Sequence, residues 1–461
     1  MAISFFLMKR IQLSDHFTYG RLLRFVLPSI VTMVLVSVYG IVDGFFVSNF
    51  VGELPFAAIN LIYPVIMILV AVGFMFGAGG TAVVSKYLGR GDKERANSVF
   101  SMLVYLTIAV GALFALLGLL LLKPIAAWLA MGETQMSATD KTVLIEHCVL
   151  YGSILLCAMP AFMLQNLFQS FFITAEKPKL GLIFTLAAGF GNIALDAFLV
   201  AVFPLGLAGA AIATACSQCI GGFLPLFYFA RKNDSLLRLG KTRFDSRAFA
   251  GICANGSSEL LVNVSLSLVT MLYNGQLMKY IGIDGVSAYG VVMYVSFIFI
   301  SIFLGYSMGV APVVGYHYGA NARKELQNVL KKSLVVLSVL GIALTAAFFL
   351  FARPLAAIFV GKNETLLSLT EHGARLYAFS FLFCGFNIFA SSFFTALSNG
   401  LVSAIISFLR TLVFQIVAVF LLPLVVPVPV DGVWLAVVVA EGCSLLVSAA
   451  FLAANKKKYG Y

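Results

Sequence analysis

Long apolar runs broken by short polar ones dominate this chain. Twelve apolar stretches stand out, at approximately 22–48, 56–80, 98–122, 147–172, 180–201, 205–229, 249–276, 285–311, 332–352, 374–397, 401–426 and 431–454. A helix needs about 20 apolar residues to cross the hydrocarbon core of a bilayer. Every stretch meets that length and none carries a run of charge. The pattern predicts an all-α polytopic membrane protein of twelve transmembrane helices.

Composition agrees. Of 461 residues, 61% are hydrophobic and 11% charged, against roughly 45–50% and 25% in soluble domains. This excludes a soluble enzyme with a single anchor. The net charge of +11 does not signal nucleic acid, because the cations are sorted by side. If the N-terminus is inside, only six of the 30 Lys and Arg lie outside: Lys123, Lys141, Lys279, Arg353, Lys362 and Arg375. The remaining 24, among them Lys86, Arg90, Arg95, Arg247, Arg323, Arg410 and Lys456 to Lys458, form an inner belt. Such asymmetry in short loops orients a polytopic chain. It predicts a multi-pass protein of the cell membrane with both termini cytoplasmic. The polar run from Gln12 to Gly20 after Lys9 and Arg10 lacks a signal-peptide core, so the first helix is expected to be retained.

The chain also repeats. A shift of 230 residues lays Ser85-Lys-Tyr-Leu-Gly89 on Gly315-Tyr-His-Tyr-Gly319, and Lys123-Pro124 on Arg353-Pro354. Gly52 falls on Gly282 and Ala58 on Ala288; farther on, Thr174-Ala175 meets Thr395-Ala396 and Gly206-Leu207 meets Gly432-Val433. Six spans is an even number, so both halves enter from the same side and the repeats are parallel. The division expected is a six-helix lobe over 1–230, a linker over 231–248 and a second lobe over 249–461. Two such lobes around a central cavity suit alternating access.

Four of the 19 acids sit within spans: Asp43, Asp196, Glu259 and Glu441. A carboxylate in lipid is costly, so each should face a cavity or a partner. At 1.5 Å per residue from the nearest inner cation, Asp43 lies about 28 Å deep, and Asp196 and Thr214 about 25 Å. Three helices thereby bring oxygen ligands to a similar level, and Asn192 shares a face with Asp196 at a spacing of four. Two nearby carboxylates can hold one proton between them; with the neutral oxygens of Asn192 and Thr214, the same set suits Na⁺. The alternative is a structural hydrogen-bond network. The second half shows no equivalent of this set in its sequence, although Glu259 and Glu441 could line the cavity from that side. Pro28 predicts a bend in the helix that carries Asp43. Tyr39 and Tyr151 are candidate cavity aromatics, and a wall of aromatics, Met and acids suits amphipathic organic cations.

No catalytic constellation accompanies these residues. There is no phosphate-binding loop, the four histidines are scattered, and Cys216-x-x-Cys219 is a lone pair inside a span. The chain is therefore not expected to be an enzyme or to carry a metal or cofactor beyond a coupling ion.

Val42-Asp-Gly-Phe-Phe-Val47, Gly89-Arg-Gly-Asp-Lys-Glu-Arg-Ala96, Gly191-Asn-Ile-Ala-Leu-Asp196 and Gly206-Leu-Ala-Gly-Ala-Ala-Ile-Ala-Thr214 together resemble the multidrug and toxic-compound extrusion (MATE) transporters. Thr174-Ala-Glu-Lys-Pro-Lys179 and Phe393-Phe-Thr-Ala-Leu-Ser-Asn-Gly400 look closest to the MepA-like and DinF-like bacterial branches. The resemblance implies V-shaped lobes and efflux of small cationic amphipathic drugs or metabolites by exchange with H⁺ or Na⁺, the chain acting as a monomer. It implies a cation site at Asp43, Asn192, Asp196 and Thr214, further polar groups at Tyr151 and Gln169, and a seventh-helix acid at Glu259. The tenth span departs from the family pattern in having no acid. A lipid-linked saccharide flippase of the related superfamily, or an exporter of an unidentified natural metabolite, is the alternative. Against a flippase, the charges inside the spans are acidic rather than the Arg and Lys a pyrophosphate requires.

Overall fold

The computed structural model describes residues 11–131, 137–203, 205–361 and 363–461; the side chains at 43–50, 53, 267 and 283 lie outside the description. The described residues are overwhelmingly helical and contain no strand. In the first half, α1 is Tyr19–Phe50, α2 Glu53–Gly89, α3 Lys93–Met131, α4 Ala138–Cys157, α5 Met159–Thr174, α6 Pro178–Asp196 and α7 Gly206–Ala230. The second half has α8 Ser246–Tyr280, α9 Ile283–Gly319, α10 Arg323–Leu350, α11 Ala352–Val360, α12 Glu364–Ala378, α13 Phe381–Ala396, α14 Gly400–Phe408, α15 Phe414–Val425 and α16 Pro429–Tyr459. π-helical turns extend α6 over Ala197–Val202 and join α14 to α15 over Leu409–Val413.

Among the described residues, ten helices are long and apolar enough to cross a membrane. Two bent pairs, α4 with α5 at 56° and α12 with α13 at 51°, raise the number to twelve. Each bent pair corresponds to one predicted stretch, 147–172 or 374–397. Pro160 opens the first break and leans on Gly111; Gly341, 230 residues on, faces the backbone of Phe381 at the second. Helices outrun the apolar stretches because the backbone ladder continues through the polar belts, as in α3 from Lys93 to Met131.

The repeat extends to backbone conformation. Positive φ angles recur at Gly52 and Gly282, at Gly91 and Asn321, and at Glu176 and Ser398. These pairs mark the same turns in both copies.

Close packing joins the halves at the face that carries most of the cations, called here the basic face. There α2 runs along α8, and α1 along α9. A Cβ added at Gly89 would strike the Tyr316 carbonyl, and one at Gly319 the Lys86 carbonyl; the two contacts are copies of each other under the repeat. Gly79 meets Ile252, and Gly256 meets Met75, just as tightly. A segment before α1 ties the halves further. The Leu13 amide donates to Glu176 Oε1 at 2.7 Å, and the Phe17 amide to Glu325 Oε1 at 2.9 Å. Lys332 and Asn328 both donate to the Phe17 carbonyl. Toward the opposite face, a Cβ at Gly40, Gly275 or Gly290 would meet nothing within 4 Å.

At the start of α8, Asp245 accepts from the Ala248 amide at 3.0 Å and from Arg95 at 3.2 Å. The Ala248 amide holds its carboxyl below the ordinary value of 3.8; burial opposes this, and the Arg95 guanidinium adds to the lowering. A lowered folded-state pKa stabilises above the unfolded value, and that stability is lost as pH falls through the folded one. Asp245→Ala should cost about 1 kcal/mol near neutrality. In thermal unfolding across a pH series, the difference from wild type should shrink below pH 3.8.

Candidate functional site

Two buried polar centres lie within the spans, one in each half. In the first half, α1, α6 and α7 pack mutually. Ser217 Oγ donates to the Ala188 carbonyl at 2.9 Å, Gly209 abuts the Leu199 carbonyl, and the Tyr39 ring lies against Gly189. These contacts set the register. Position 43 of α1 and Thr214 of α7 fall level with Asn192 of α6, and Asp196 lies one helical turn farther, where the π turn begins. Asp196 is 0% and Asn192 2% exposed. The Asn192 Nδ2 has no hydrogen-bond partner among the described residues. Thr214 Oγ1 donates to the Ala210 carbonyl at 3.1 Å and retains its lone pairs. The Asp43 side chain lies outside the described residues.

The remaining expected residues separate. Tyr151 is 2% exposed in an apolar cluster with Ile62, Leu122 and Leu155, inside the packed core of the first half rather than on a cavity wall. Tyr39 is half-buried on α6. Gln169 borders two small spaces of about 10 Å³ each, between α5, α6 and their neighbours.

Sequence reasoning missed the second centre. Arg410 does not belong to the inner belt. It lies on the π turn after α14, about 15 Å from the start of its span at Gly400. Its Nε donates to both oxygens of Glu441, at 2.8 and 3.1 Å. Asn387 of α13 donates to Glu441 Oε2 at 2.8 Å and to its backbone carbonyl at 2.9 Å, and Ser448 donates to Asn387 Oδ1. Glu441, 4% exposed, is thus a held structural acid with little capacity left for a substrate. Glu259 is half-buried, within Coulombic reach of Arg410, and its carboxylate makes no hydrogen bond among the described residues. Under the repeat, the spans of Arg410 and Glu441 are the copies of α6 and α7. The second half therefore has a centre at the corresponding place, with a resident guanidinium where the first half offers only acids and neutral groups. Nearby, Tyr273 donates to Gln415 Oε1 at 2.6 Å, and Ser391, Ser403, Ser407 and Thr395 form a hydroxyl chain. Gln165, on α5, and Gln218, on α7, are further buried amides, in the first half. A lone amide in an apolar run was the available signal for all of these.

The fold and the paired centres define a polytopic helical transporter built from a duplicated unit. Residues 28–198 and 259–421 match the MatE family, and the chain belongs to that family. It is a transporter rather than an enzyme, as expected from its sequence. The multidrug export protein MepA of Staphylococcus haemolyticus is 26% identical over 375 residues, covering 80% of each chain. Among solved structures, one described as the outward-facing conformation of a multidrug resistance MATE family transporter superposes with a TM-score of 0.88. It is 20% identical and covers 98% of this chain and 99% of that one. A transporter of the MOP superfamily from Pyrococcus furiosus, described as having a binding pocket of reversed polarity, superposes with a TM-score of 0.89 at 20% identity. Its coverage is 98% of this chain and 99% of that one. These likenesses give the V-shaped twelve-helix fold.

Proposed function

We propose that the chain is a secondary active multidrug exporter that moves small amphipathic organic cations outward in exchange for H⁺ or Na⁺. Coupling occurs at Asp43, Asn192, Asp196 and Thr214, and no cofactor takes part. One observation carries this reading: a fully buried acid lies one helical turn from a buried amide whose Nδ2 has no partner among the described residues, and that amide is level with a hydroxyl and with the position of a second acid. Ionisable and polar groups gathered inside spans characteristically mark ion pathways. The family membership and the MepA-like relatives support export of drugs. The basic face is cytoplasmic, the chain lies in the cell membrane, and the two six-helix lobes rock as bodies around the cavity. The halves packed at the basic face and open space at the other correspond to an outward-facing state. Glu259, whose carboxylate makes no hydrogen bond among the described residues, is the second-half anchor for a substrate cation. The flippase reading stays weaker, because Glu441 neutralises Arg410, the guanidinium at the second centre.

The test is reconstitution in liposomes with a fluorescent organic cation, imposing a Na⁺ gradient and a pH gradient separately. Uptake driven by one of them supports antiport and names the ion. Indifference to both rejects it.

A further inference from the structure

A cavity of about 450 Å³ opens at the basic face, between the halves, apart from both buried centres. Lys86 and Arg90 line it from the end of α2, Arg95 from the start of α3, and Arg247 from the start of α8. No acid lines it. Lys86, Arg90 and Arg247 form no ion pair among the described residues; Arg95 shares Asp245 at 3.2 Å and stacks over Tyr87. With Arg95 held by Asp245, the other three cations repel each other unless an anion enters.

A second observation points to a ligand. Asn255 also lines the cavity and is only 4% exposed. Its backbone carbonyl accepts from Thr395 Oγ1, which fixes the residue, yet its side-chain amide has no hydrogen-bond partner among the described residues. The little surface that Asn255 keeps accessible lies on the wall of this cavity. The first turn of α14, at Gly400 and Leu401, adds the positive end of a helix on the same wall.

We infer that this cavity is a binding site for a phosphate-bearing anion, chiefly the headgroup of an anionic phospholipid. A basic pocket between spans at a membrane face is suited to such headgroups. Its cations come from both halves, so the ligand neutralises a repulsion that would otherwise drive this face apart. Binding therefore favours the arrangement in which the face is closed, and by linkage that arrangement binds the anion better.

The test uses the full chain in nanodiscs of phosphatidylcholine alone or with phosphatidylglycerol. Native mass spectrometry reads retained anionic lipid, and a spin-label distance across the basic face reads closure. Arg90→Gln with Arg247→Gln should weaken phosphatidylglycerol binding about thirtyfold and abolish its effect on the distance. Arg90→Lys with Arg247→Lys should preserve most of both, which separates charge from misfolding. Inorganic phosphate added to phosphatidylcholine discs distinguishes the source. If it is inert, the ligand is a lipid; if it closes the face of wild type and not of the Gln variant, the site holds and its ligand is a soluble phosphate. Equal phosphatidylglycerol retention by wild type and the Gln variant, with phosphate inert in both, overturns the proposal.

Discussion

Arg410→Ala should destabilise the folded chain by about 3–5 kcal/mol, the usual cost of leaving one member of a buried ion pair uncompensated. Glu441 would keep the Asn387 amide but lose both guanidinium bonds. Glu441→Gln should cost nearly as much, because it strands the cation instead. The double variant Arg410→Met with Glu441→Leu should recover most of the loss, since replacing both charges by apolar groups of similar volume is often neutral or better. Equilibrium unfolding in detergent with a double-mutant cycle measures the coupling. Additive losses would show that the two residues act independently and that the centre is not a paired unit.

Asp196→Asn should abolish ion-driven transport while the protein still inserts and binds the organic cation. The reason is geometric. Asp196 is fully buried at the end of α6, where the helix widens into a π turn. Asn keeps the shape and removes the charge that a proton or Na⁺ would neutralise. Asp43→Asn should do the same, because position 43 lies level with Asn192 on the packed neighbour α1. In liposomes, both variants should fall to the protein-free background under either gradient. Wild-type transport in both would return these residues to a structural network. Glu441→Gln, by contrast, should lose stability before it loses coupling, because its carboxylate is already fully occupied.

Much of the architecture was legible because the membrane imposes a single length scale on every span. Twelve apolar stretches became ten long helices and two bent pairs. The breaks at Ala158 and at Phe379-Ser380 left no trace in hydropathy, since the residues on both sides stay apolar; Pro160 was the one cue, and only for the first. The duplication was readable from paired motifs and reappears in paired backbone angles, which identical turns require whatever their side chains. The first centre was legible because depth along a helix follows from residue count. The second was obscured by a general habit of long cations. An Arg about three turns inside a span is taken to extend its guanidinium to the interface. Here Arg410 turns inward, because Glu441, thirty-one residues on, meets it across a helix packing that no local pattern encodes. Tyr151 illustrates the reverse: a polar tip near a span end suggests a cavity wall, while the packing of α4 against α2 and α3 buries it entirely.

The two centres together suggest a division of labour. On the proposed function, the first half exchanges a cation, while the second carries Arg410 as its own cation and leaves Glu259 for the substrate. Antiport requires reciprocity: if an ion gradient drives the organic cation, a gradient of the organic cation must drive the ion. The decisive measurement is ion flux across liposomes loaded with the organic cation, with no ion gradient imposed. Wild type should move H⁺ or Na⁺ inward as the organic cation leaves, and Asp196→Asn should move neither ion. Exit of the organic cation from wild type with no counterflow of either ion would contradict the account.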